Sequence, residues 1–129
     1  MGAMHAPIWK NDPDAHDFPA AADYLELVAD AERVTSLVAA LRGAPTVFKK
    51  AKDVLRAAQL PLLPEDNPHV AADLAKVHAG TALSPVLLVH GELTAGTPAQ
   101  IADGYHRVCA SWYVDENTQI PCRIVPPAA

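Results

Sequence analysis

The side chains best able to do chemistry in this chain stand together at Asp103-Gly104-Tyr105-His106-Arg107. An imidazole titrates near neutral pH, so His106 can donate to an oxyanion or move a proton. The guanidinium of Arg107 offers a planar fork of N–H donors that matches phosphate and carboxylate oxygens. Residues Tyr105 to Val114 read as a helix with Val108, Cys109 and Trp112 on one face. The first N–H groups of a helix lack internal partners and lie at the positive end of its dipole. Gly104 lets the chain turn tightly and lets a ligand approach the backbone. The stretch therefore predicts an anion site, best suited to phosphate, contacted by Gly104, Tyr105, His106 and Arg107. His106 is its candidate acid–base group.

A second basic pair, Lys52 and Arg56, lies four residues apart on an expected helix. Like charges at that spacing slightly destabilise an isolated helix. A bound anion between them would reverse the sign, and a solvated basic face is the plainer reading. The pair joins the phosphate-site candidates as an approach from a facing helix.

The elements that must position these groups follow from periodicity. The whole chain, 1–129, reads as one domain. Residues 1–18, with Pro7 and Pro13, read as an irregular arm pinned by Trp9 and Phe18. Met1-Gly2-Ala3 reads as an added leader before a native start at Met4. Residues 19–80 read as helical: Ala20 to Arg42, with a break near Asp30, then Thr46 to Leu60, then a helix with Asn67 as N-cap, Pro68 at its first position and Gly80 past its end. Residues 81–125 read as strand–strand–helix–strand, with strands at Pro85 to His90, Ala99 to Ala102 and Gln119 to Val125. Pro121 belongs at a strand start or edge. A helical half followed by a small mixed sheet gives an α+β fold class.

Composition narrows the classes. A net charge of −5 argues against non-specific nucleic-acid binding, which needs a basic stripe. No apolar run is long enough to span a bilayer. Cys109 and Cys122 form no disulfide framework, and both read as buried thiols; a cytoplasmic setting is the default. The six histidines show no pair at ligand spacing backed by a carboxylate, so no metal site is expected. Alanine-rich helices with few charges on some faces allow a homodimer.

Residues 81–125 resemble the ParB-like and sulfiredoxin superfamily. The resemblance stands on Ser84-Pro85-Val86-Leu87-Leu88-Val89, on Asp103-Gly104-Tyr105-His106-Arg107 with Ala110, and on Ile120-Pro121-Cys122-Arg123-Ile124. It implies that Gly104, His106 and Arg107 contact nucleotide phosphates, and it adds Asp103 to the site, since an acidic residue precedes the turn in several members. Two departures matter. Sulfiredoxins carry a reactive Cys where this chain has Tyr105, so that chemistry is not expected. The chain ends soon after Val125, so the centromere clamping of chromosome-partition relatives is not expected either. Free-serine kinases of the superfamily use a carboxylate base, for which Asp53, Glu65 and Asp66 are loose candidates.

The resulting expectation is a nucleotide- or phosphate-binding domain taking ATP, ADP or CTP with Mg²⁺. Were it catalytic, phosphoryl transfer or nucleotide hydrolysis would be the reaction, driven by positioning and charge neutralisation. The alternative is a non-catalytic regulatory or protein-interaction module that keeps the fold.

Overall fold

A computed structural model describes residues 5–129; the leader and the start at Met4 lie outside the described residues. Two helices come first: α1, Asp17–Leu25, and α2, Ala31–Gly43. Asp30 breaks them apart as expected, and its carboxylate caps α2 by accepting from the Arg33 N–H at 2.8 Å. The next segment corrects the sequence reading. Thr46–Lys50 is a strand, β1, and only Ala51–Ala58 is helical, α3. The section 19–80 is thus not wholly helical. α4 is Pro68–Ala79, with the Asn67 side chain accepting from the N–H groups of His69 and Val70. Then follow β2, Val86–Val89; β3, Gln100–Asp103; α5, Tyr105–Val114; and β4, Gln119–Val125.

The sheet order is β1-β4-β2-β3, with β4 antiparallel to β1 and parallel to β2, and β3 antiparallel to β2. All four residues of β2 are buried. Alternate side chains of a strand point to opposite faces, so a strand buried throughout needs cover on both. Val86 and Leu88 join one core, with Val54, Val70, Leu74 and Val108 from α3, α4 and α5. Leu87 and Val89 join the other, with Phe18, Leu25, Leu37 and Leu41 from α1 and α2. The architecture is α+β, a mixed sheet between two helical layers. Pro121 falls in the part of β4 that pairs with β1 alone, ahead of the ladder with β2, so its missing N–H costs that ladder nothing.

The arm before α1 is ordered by the body. Lys10 N–H donates to Leu83 O, and Leu83 N–H donates to Ile8 O, both at 2.8 Å. Trp9 packs on the first core, while Phe18 belongs to α1 and lies under the Arg42 guanidinium, 4.4 Å from its ring centre. Among the described residues no helix is long and apolar enough to cross a membrane.

Candidate functional site

Gly104 makes the site's geometry. It precedes α5 with φ at 111°, left-handed backbone that a side chain would strain. A Cβ there would also stand 2.9 Å from Val86 Cγ2 and 3.0 Å from Arg107 Nη2. Only glycine lets β2, the turn and the arginine close this tightly. No side chain caps α5, and its first internal bond is Val108 N–H to Gly104 O at 3.0 Å. The N–H groups of Tyr105, His106 and Arg107 precede that bond and have no partner within the helix.

A cleft of about 290 Å³ opens at this mouth, lined by Gly104, His106 and Arg107 with His69, Asp73 and Lys76. The last three come from α4 at spacings of four and three, so they form one stripe on that helix facing α5. The rings of His69 and His106 lie 4.7 Å apart. Burial, and then the neighbouring His69, hold the His106 imidazole below its ordinary value of 6.5. Burial pushes the Asp73 carboxyl up, against the pull of Lys76.

Arg107 is turned inward. Its Nη2 donates to Asp103 Oδ2 at 2.9 Å and to Pro85 O at 3.2 Å, and lies 3.9 Å from Asp17 Oδ2. Its Nε is buried without a partner among the described residues, and its Nη1 makes no hydrogen bond to any of them. Burial raises the Asp103 carboxyl above its ordinary range, and the guanidinium opposes that shift. The expected outward fork is therefore half spent on the protein's own carboxylate.

The other expected contacts are dispersed. The Tyr105 hydroxyl donates to Pro61 O at 2.6 Å, fixing the turn after α3, so only its backbone is available at the mouth. Arg56 pairs with Asp53 at 3.6 Å and lines a different groove, beside His90 and Gly91. Lys52 does not line the α5 cleft; its N–H donates to Glu116 O at 3.0 Å. The facing-helix approach from Lys52 and Arg56 is not realised, because α3 packs its apolar face on the sheet and α5 and turns its basic face elsewhere. Its apolar groove of about 200 Å³, lined by Val54, Leu88, Ile101 and Ile124, shares no lining residue with the cleft. Cys109 and Cys122 are buried free thiols, and burial pushes Cys122 up to about 12.

Three participants were hidden in the sequence. His69, Asp73 and Lys76 signal themselves only as a polar stripe on α4, whose facing partner is set by packing. Asp17 is buried at the base of a second cavity, about 240 Å³, that shares Asp73, Lys76 and Arg107 with the first. His16 stands beside Asp17 and Asp14, a group of one histidine and two carboxylates that the absence of a histidine pair at ligand spacing did not bring into view. The signal was the string Asp14-Ala15-His16-Asp17, inside a segment read as irregular. No protein-family model matches the chain, and no similar protein emerges from the curated proteins or the solved structures.

Proposed function

We propose that the cleft at the start of α5 binds the phosphate group of a nucleotide or other phosphorylated small molecule, as the resemblance to the ParB-like and sulfiredoxin superfamily implies. The observation carrying this reading is the uncapped α5 mouth opening into a cleft lined by His69, Lys76 and His106. Three unpaired N–H groups and the helix dipole attract an anion. His69 and His106 line the cleft as further donors, Lys76 lines it while standing 4.0 Å from Asp73 Oδ1, and Arg107 lines it with its Nη1 unbonded among the described residues. Arg107 chiefly holds Asp103 and the Gly104 turn in place, and so acts as a positioning residue.

For phosphoryl transfer or nucleotide hydrolysis, a neutral His106 would serve as base or orienter near pH 7. ATP, ADP or CTP with Mg²⁺ are the ligands to try. The closed Arg107–Asp103 pair favours a second reading, a regulatory or interaction module in which the motif only supports the fold.

Calorimetry with ATP, ADP and CTP, with and without Mg²⁺, tests the proposal. Binding of at least one nucleotide, weakened about 5- to 100-fold in Lys76→Ala or His106→Ala, is the expected result. Released phosphate in the same sample identifies an enzyme. Binding of none selects the module.

A further inference from the structure

The groove of about 200 Å³ between α3 and the sheet has a floor of three apolar side chains in a row. Leu88 on β2 stands in register with Ile124 of β4 on one side and with Ile101 of β3 on the other. α3 crosses above them and presents Val54, Ala57 and Ala58. Alanines set opposite this floor leave the end of the first core unfilled. Ala99 N–H donates to Ala57 O at 3.0 Å, which fixes the helix against the start of β3 and bounds the groove on that side. Packed interiors leave few voids larger than a water molecule, and apolar walls offer water no partners.

We propose that this groove binds a small carboxylic acid, with its aromatic ring or branched chain on the floor and its carboxylate at Lys49. Size sets the body of the ligand. A dry apolar cavity of about 150 Å³ takes a benzene ring. At about 200 Å³ this groove takes such a ring carrying one small polar group.

Charge sets the head group. The ionisable side chains lining the groove are Lys49, Asp53 and His90, all exposed and so at its rim. Asp53 is paired with Arg56 at 3.6 Å. Lys49 forms no ion pair or side-chain hydrogen bond with any described residue, and the His90 ring forms none either. Glu92 lines only the wider groove beside Arg56, where its carboxylate accepts from Thr94 N–H at 3.0 Å. The rim therefore keeps one cation without a counter-charge beside an apolar floor. A carboxylate, with a single charge and two acceptor oxygens, matches one ammonium and one imidazole N–H. A phosphate dianion would be left short of donors here, in contrast to the α5 cleft, with which the groove shares no lining residue.

The test titrates the full chain, with ¹³C-labelled Ile, Leu and Val methyl groups, with benzoate and separately with benzyl alcohol, a neutral molecule of the same size. The expected result is saturable shifts at Leu88, Ile101 and Ile124 with both, benzoate binding about fivefold tighter, the worth of a partly exposed ion pair. Lys49→Gln should remove that preference and leave benzyl alcohol binding within twofold of the parent. Ala57→Leu should fill the groove and weaken both ligands at least tenfold; Ala57 is exposed, so its thermal melt should stay close to the parent's. Lys49→Gln lies on an edge strand away from the core and carries the test even if the leucine disturbs α3. No saturable shift at millimolar benzoate, equal affinity for the two ligands, or shifts confined to the α5 cleft overturns the proposal. No phosphate compound is present, so either outcome leaves the phosphate reading to its own test.

Discussion

Arg107 Nη2 donates to Asp103 Oδ2 at 2.9 Å, bridging the Gly104 turn from the first turn of α5 back to the end of β3. The same nitrogen reaches Pro85 O, beside β2, so one guanidinium ties two strands and a helix together. The motif's arginine is thus a strut as well as a neighbour of the cleft.

Arg107→Ala should therefore destabilise the fold. Asp17, buried, and Asp103, half-buried, would be left without their cation, an arrangement that typically costs about 3 kcal/mol. Chemical unfolding should show that loss, and the second change Asp103→Asn should restore part of it. A parent-like midpoint for Arg107→Ala would mean that the pair holds nothing together.

Gly104→Ala should cost about 2 kcal/mol, because a left-handed backbone and contacts with Val86 act together. The comparable change at Gly43, where an added Cβ meets nothing within 4 Å, should be close to neutral or stabilising. Thermal melts of the two variants give the comparison. Equal melting temperatures would remove the structural reason for a glycine at the mouth.

The site was only partly legible in the chain. Residues 103–107 announce themselves because turn, cap and side chains are all local. The α4 helix is equally plain, since Asn67, Pro68 and Gly80 punctuate it. Thr46–Lys50 misleads because Val47 falls in helical register with Ala51 and Val54, and no Gly or Pro separates strand from helix at Lys50-Ala51. What makes it a strand is pairing with β4, from Thr46 opposite Arg123 to Lys50 opposite Gln119, a contact that no local pattern records. The inward turn of Arg107 is hidden for a similar reason: Asp17, at its back, comes from the other end of the chain.

The pH dependence has a definite sign. Folding lowers the His106 value, so between that lowered value and 6.5 the folded chain holds fewer protons than the unfolded one. His106's contribution to stability is complete above that window and declines as pH falls through it. A bound anion favours the imidazolium instead and should move the titration back up. Sulfate keeps its charge across this range, so proton NMR of the His106 ring with and without sulfate is a direct check. An upward shift of the midpoint is expected; an unchanged midpoint places the anion elsewhere.

The central claim, that the α5 mouth accepts a phosphate group, is tested most directly by mapping ADP binding on the amide resonances of ¹⁵N-labelled protein. Shifts concentrated at Gly104, Tyr105, His106 and Arg107, with smaller ones at His69 and Lys76, are the predicted result. Unmoved resonances at millimolar ADP, or shifts confined to the groove beside Arg56 and His90, would contradict it.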